Sequence, residues 1–172
     1  MTPAGHRRLI LTRHAKSSWD VPGLEDHERP LNARGRRAAA ELGQWLASRG
    51  YLPDEVLSSD AARTRETWNA LAPSMPETTA PRWLPALYQA GPERLAAALK
   101  AASGQTLMIL GHNPGLAEFA ATLPAVRPSN PDFERFPTAA TLVVDFEIRS
   151  WADLAPGLGS VLDFFTPAER GG

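Results

Sequence analysis

An α/β fold, with a mostly parallel central sheet flanked by helices on both faces, is predicted by three observations on the 172-residue sequence. Short apolar runs alternate with segments whose apolar residues recur at helical spacing, the order expected of a parallel sheet with crossover helices. The clearest run, Thr106-Leu107-Met108-Ile109-Leu110, is apolar on successive residues, as a strand buried on both faces is. The last two runs, residues 139–146 and 159–165, have no helical segment between them and predict an antiparallel pair at one edge.

Leu9-Ile10-Leu11-Thr12 reads as the first buried strand, ending in Arg13 and His14. Residues 15–31 carry no period and form a long polar loop, which in a compact domain is more often functional than idle. Asn32 is a good N-cap, Ala38, Leu42, Trp45 and Leu46 make an apolar stripe, and Gly50 closes that helix. Glu55-Val56-Leu57-Ser58 is a second strand, after which Ser59 or Asp60 can cap a helix whose Thr64, Thr67, Trp68 and Leu71 share one face. That helix stops before Pro73. Arg82-Trp83-Leu84 is a short strand, and Pro92 opens a third helix with Leu95, Ala98 and Leu99 inward and Gly104 at its end. After the strand at 106–110, Gly111-His112 leads to Asn113 as a cap and Pro114 in the first turn of a fourth helix. Its inward residues are Leu116, Phe119, Ala120 and Leu123, and residues 124–137 are proline-rich and irregular. The expected organisation is one domain over 1–172.

Composition narrows the function classes. Eighteen Lys plus Arg against nineteen Asp plus Glu give a net charge of −1. No basic field or stripe therefore draws the chain to nucleic acid or a membrane surface. The absence of cysteine excludes disulfides, a thiolate nucleophile and cysteine metal sites. The basic start of the chain is followed by an apolar run too short for an export leader, and no stretch reaches transmembrane length. A cytoplasmic protein, without cofactor or metal, is the expectation.

Three strands end in the same manner. The first delivers Arg13 and His14, the second Ser58, Ser59 and, one helical turn later, Arg63, and the fourth His112. Parallel strands share a direction, so these groups converge on one lip of the sheet, where open α/β folds place their chemistry. Singly, His112 is a cap neighbour, Arg63 a solvated helix residue like Arg65, and His14 a strand-end histidine. Jointly, two imidazoles and two guanidiniums around one point describe a site for a phosphate-like anion.

The residues that build this site also resemble a family. Arg13-His14-Ala15 resembles the Arg-His-Gly motif of the histidine phosphatase, or phosphoglycerate mutase-like, superfamily. Residues 59–67 resemble its Ser-x-x-x-Arg-x-x-x-Thr segment, and Gly111-His112-Asn113-Pro114 its second-histidine motif. The details Lys16-Ser17-Ser18-Trp19, Arg29-Pro30-Leu31-Asn32 with Gly35, and Gly115 after Pro114 are most similar to the SixA group of phosphohistidine phosphatases. The resemblance implies that His14 is a nucleophile that becomes a phosphohistidine, which water then hydrolyses. It also implies that Arg13, Arg63 and His112 bind the phosphoryl oxygens and stabilise the transition state without a metal. Attack requires a neutral imidazole, which the neighbouring cations favour, with the other ring nitrogen held by a backbone carbonyl.

Many members of the superfamily place a glutamate after the third strand as general acid. The corresponding segment here, residues 84–88, holds no carboxylate, and Ala86 stands where the acid is expected. Asp20 is the first candidate for a substitute, with Glu25 and Asp26 beside it in the long loop; the plainer reading of each is a solvated loop charge. Without an acid, worth ~10²–10⁴-fold, a phosphoramidate is a better substrate than an alkyl ester. The expected substrate is phosphohistidine on a protein, such as a histidine-phosphotransfer domain, acted on by a monomer. The competing readings are a phosphomonoesterase for small phosphorylated molecules and a phosphate-binding module that does not turn over.

Overall fold

The computed structural model describes residues 5–167; Met1 to Ala4, which open the segment read against an export leader, lie outside the described residues. Six strands make one mixed sheet: β1 (Arg7–Arg13), β2 (Glu55–Ser59), β3 (Pro81–Leu84), β4 (Thr106–Gly111), β5 (Thr141–Phe146) and β6 (Ser160–Phe165). Their order is β3-β2-β4-β1-β5-β6. The pairs β1/β4, β4/β2 and β2/β3 are parallel, and β5 runs antiparallel to both β1 and β6. The predicted fold class is the observed one, down to the antiparallel edge.

Four helices, α1 (Ala33–Ser48), α2 (Ala62–Leu71), α3 (Pro92–Lys100) and α4 (Gly115–Thr122), cover the faces in pairs. Alternation along the central strands divides the core. Ile10, Val56, Met108, Leu110 and Val143 pack with Leu42 and Leu46 of α1 and Trp68 and Leu71 of α2. Leu9, Leu11, Leu57, Leu107 and Ile109 pack on the other face with Leu95 and Leu99 of α3 and Leu116 and Phe119 of α4. Adjacent parallel strands β1 and β4 therefore send their following helices to opposite faces, which opens a crevice at their carboxyl ends. Among the described residues no helix is long and apolar enough to cross a membrane.

Local chemistry explains most boundaries and corrects several. Asn32 caps α1 by accepting the Gly35 N–H at 2.7 Å, and Gly50 takes the left-handed conformation (φ +74°) that closes it. The fully buried alanine of α1 is Ala39, and Ala38 and Trp45 are half-buried. Helix α2 starts at Ala62 behind Ala61, without a side-chain cap from Asp60. Ser59 instead remains in β2, with its hydroxyl accepting the Ala61 N–H. Helix α3 ends at Lys100 rather than Gly104, whose amide donates to Glu55 Oε1 at 2.7 Å. Helix α4 begins one residue later than expected, with Pro114 in the capping position. The Asn113 side chain still accepts the Ala117 N–H, but its amide group is drawn to the carbonyls of Arg135 and Phe136.

Gly35 fixes how the long loop meets α1. The Asn32 amide donates to the Lys16 carbonyl at 3.0 Å, and a Cβ on Gly35 would lie 2.1 Å from that same oxygen. Since Lys16 follows His14 by two residues, a side chain at position 35 pushes on the loop that carries the crevice. Gly35→Ala is expected to lower stability by about 1–3 kcal/mol, the usual cost of overpacking, read as a lower urea midpoint with unchanged slope. An unchanged midpoint would show that the loop yields freely.

Candidate active site

The register of the central strands brings the two histidines together. Arg13 pairs with Gly111 across β1 and β4, and the His14 amide extends that ladder onto the Gly111 carbonyl at 3.1 Å. His14 and His112, the next residues on each strand, face one another with ring centroids 5.2 Å apart. His14 is buried, and its Nδ1 lies 2.7 Å from the Ala15 carbonyl. A carbonyl only accepts, so Nδ1 carries the hydrogen and Nε2 keeps its lone pair in the neutral ring. Burial above all, and then the charges of Arg13, Arg63 and Arg29, push the His14 pKa down to about 3 against the opposing effect of the Ala15 bond. The ring is neutral at pH 7.

Helix α2 secures this geometry. Thr67 Oγ1 donates to the Arg63 carbonyl at 2.6 Å and accepts the Ala15 amide at 3.0 Å, tying the turn after His14 to the helix that carries Arg63. From β2, Ser59 Oγ lies 2.8 Å from His112 Nε2. The hydroxyl accepts the Ala61 amide with one lone pair and donates its hydrogen to Nε2 in the tautomer that places the His112 proton on Nδ1. His112 Nδ1 is buried with no partner among the described residues. Burial first, followed by the charge His14 would carry and by Arg63, lowers the His112 pKa to about 3 as well.

Sequence reasoning missed how Arg63 is held. Its Nη1 donates to the Asp26 carbonyl at 2.7 Å and its Nη2 to Asp26 Oδ2 at 2.9 Å, on a guanidinium that is itself buried. The Tyr88 hydroxyl donates to the same Oδ2 at 2.5 Å and Gln89 at 3.2 Å, while Arg29 reaches Oδ1 at 3.1 Å. The Tyr88 hydrogen bond, with Arg63 and Arg29 behind it, holds the Asp26 carboxyl well below the usual range, so it is ionised. Arg29 is buried beneath the exposed Trp19 ring, 3.6 Å from its centroid. The Tyr88 ring stands edge-on to His112 at 5.4 Å. No short-range pattern links residues 26, 63 and 88; the one available signal is the run Asp26 to Pro30 just before the α1 cap.

Arg13 donates to the Phe136 carbonyl at 3.2 Å, and burial with the nearby Arg63 charge lowers its pKa. Arg13 Nε, Arg63 Nε and His112 Nδ1 are buried N–H donors without partners among the described residues. Buried donors are normally satisfied, so three around one imidazole are arranged for an acceptor brought by a ligand. Arg13, Arg29 and Arg63 against Asp26 leave two positive charges, matched to a dianion. Three non-glycine residues with positive φ border the same region: Gln89 (52°), Phe136 (46°) and Ala139 (64°). Gln89 holds Asp26, Phe136 offers its carbonyl to Arg13, and the Ala139 amide bonds the His14 carbonyl. Left-handed backbone costs of order 1–3 kcal/mol per residue and clusters at functional sites.

The structure thus brings Arg13, His14, Arg63 and His112 to one crevice with Ser59 behind them. Ser58 turns away to the Ser59 carbonyl, and Arg65 lies outside on Trp83. Asp20 and Glu25 are on exposed parts of the loop, and of the three loop carboxylates it is Asp26 that enters the pocket. Ala86 is exposed on the short turn Pro85–Leu87, and Tyr88, two residues on, supplies the side chain from that strand end. Among the described residues no group of three or more His, Cys, Asp or Glu side chains is placed to hold a metal.

Residues 9–85 match the model of the histidine phosphatase superfamily (branch 1). An uncharacterized chloroplast protein of Arabidopsis thaliana is 38% identical over 128 residues, which is 68% of this chain and 59% of that protein. The chain thus spans under two thirds of that relative's length. An uncharacterized protein of Mycobacterium tuberculosis is 32% identical over 162 residues, covering 90% of this chain and 99% of that one. A solved structure from Nakamurella multipartitia, proposed to be a SixA phosphohistidine phosphatase, superposes with a TM-score of 0.77 at 31% identity. It covers 98% of this chain and 100% of its own.

Proposed function

The chain belongs to the histidine phosphatase superfamily, in its SixA-like group, and we propose that it is a phosphatase that removes phosphoryl groups from protein phosphohistidine through a phosphoryl intermediate on His14. The observation that carries this reading is a neutral, oriented His14 whose bare Nε2 faces a pocket of unpartnered donors. The Nε2 lone pair forms the new P–N bond while the bond to the leaving group breaks and takes its electron pair. Arg13, Arg63 and the Nδ1–H of His112 hold the three remaining phosphoryl oxygens as charge spreads over them. Water then attacks phosphorus, and the electron pair of the P–N bond returns to His14.

The leaving side of the pocket supports a nitrogen leaving group. Ala86 has no acid to give, Asp26 is ionised, and the Tyr88 proton is committed to Asp26. An alkoxide therefore departs without help, whereas an imidazole protonated on its far nitrogen departs neutral. The test is a set of initial rates on a phosphohistidine-bearing protein and on sugar and aryl phosphates. At least a tenfold higher kcat/KM on phosphohistidine than on sugar phosphates is expected. Equal or lower values would replace the reading with a small-molecule phosphomonoesterase.

A further inference from the structure

We propose that Asp26 is a specificity-determining residue: its carboxylate holds the leaving imidazole of the substrate in the protonated form that can depart. This rests on the phosphohistidine reading above and assigns that substrate class its own recognition group.

The order of strand ends gives the direction. Across the lip lie His14 after β1, His112 after β4, Ser59 and Arg63 from β2, and Tyr88 beyond β3. In-line attack puts the leaving group opposite His14, and Tyr88, which stands edge-on to His112 at 5.4 Å, holds Asp26 on the side of the crevice away from β1. Asp26 is anchored there by five contacts, from Arg63, Tyr88, Gln89 and both Nε and Nη2 of Arg29. Its side chain is nevertheless 39% exposed, so its negative charge acts on the open side of the pocket.

The chemistry of a phosphoramidate needs such a group. When His14 Nε2 bonds to phosphorus, the P–N electron pair goes to the substrate ring. If the far ring nitrogen carries a proton, the product is neutral imidazole and no proton moves from the enzyme. If it does not, the product is an imidazolate, a very poor leaving group. Three arginines surround the pocket and disfavour a cationic ring, and the one carboxylate on the leaving side opposes that effect locally. An anion within reach raises the pKa of a bound cation by about 1–3. The same carboxylate repels an alkoxide, which makes this end of the pocket selective as well as permissive.

The charged and titratable groups facing Asp26 are Arg63 from α2, Arg29 from its own loop, Tyr88 after β3, and His112, with His27 against Tyr88 and paired to Asp60 at 2.8 Å. Of the groups in contact with Arg63 and Tyr88 on this side, Asp26 is the carboxylate, and Asp60 lies behind His27.

The experiment compares wild type, Asp26→Asn and Asp26→Glu from pH 5 to 9 on a phosphohistidine peptide and on p-nitrophenyl phosphate. For Asp26→Asn the alkaline limb of kcat on phosphohistidine moves to lower pH by about one unit, giving roughly a tenfold loss at pH 8. The limb on p-nitrophenyl phosphate keeps its position, and Asp26→Glu restores the phosphohistidine limb. Loss by the same factor on both substrates with no movement of the limb overturns the proposal and leaves Asp26 as a support for Arg63. A wild type that cleaves p-nitrophenyl phosphate but not phosphohistidine overturns the underlying function as well. The urea midpoint of each variant, compared with wild type, reports that it is folded.

Discussion

His14→Ala is expected to abolish turnover, by roughly 10³-fold or more, while leaving a folded protein. The nucleophile has no replacement in the crevice, because the neighbouring His112 has its Nε2 taken by Ser59 and its Nδ1 protonated. In wild type, a trapped phosphoryl group on His14 should be labile in acid and stable in alkali; the variant should carry none. A second readout is stability against pH. Folded His14 and His112 both have pKa values of about 3, below the ordinary 6.5 of an unfolded chain. Between those values the unfolded state binds more protons, so stability falls as pH drops from about 6.5 toward 3. A tenfold difference in proton affinity between the folded and unfolded chain corresponds to about 1.4 kcal/mol, so two such histidines make the decline steep. His14→Ala removes one contribution, and its urea midpoint should fall less between pH 6.5 and 4 than that of wild type. Retained turnover would refute the role of His14; an equal decline with pH would show that the ring is not buried neutral.

The fold and the four converging side chains are legible in the sequence because each depends on short-range information. A buried strand shows as a continuous apolar run, and its last residues must emerge at the lip. Thus Arg13, His14 and His112 follow directly from the ends of β1 and β4, and Arg63 from one turn of α2. What is illegible depends on pairings between residues far apart along the chain. Asp26 meets Arg63 and Tyr88 across separations of 37 and 62 residues, and nothing at those positions separately distinguishes it from Asp20. Ser59 reads as a helix cap because serine before a helical period caps by default; its actual partner, His112, lies 53 residues away. Asn113 likewise serves two masters, and its attachment to the 135–136 carbonyls displaces the start of α4 by one residue. Local signals place elements, and long-range polar pairs then decide which capping residues are free to cap.

Arg63 is the residue at which these long-range pairs and the chemistry coincide, and its replacement should be the second most damaging change. Arg63→Met is expected to lower kcat/KM by about 10³-fold, at or beyond the top of the 10²–10³ range of a neutral oxyanion donor because a full charge is lost. Its effect on stability should be smaller than for a usual buried ion pair, where removing one partner costs about 3–5 kcal/mol. Asp26 keeps Arg29, Tyr88 and Gln89, so its carboxylate is not abandoned. At the same time Arg13 loses a neighbour that opposes its charge, which returns part of the cost. Arg63→Lys separates charge from shape. An ammonium keeps the positive charge, but it cannot span the Asp26 carbonyl and carboxylate with two N–H groups while aiming a third at the phosphoryl group. The lysine variant should therefore recover much of the stability and little of the rate. A lysine variant with wild-type kcat/KM would mean that Arg63 contributes charge alone, and that its fixed fork, the reason Asp26 and Tyr88 are gathered around it, has no part in the reaction.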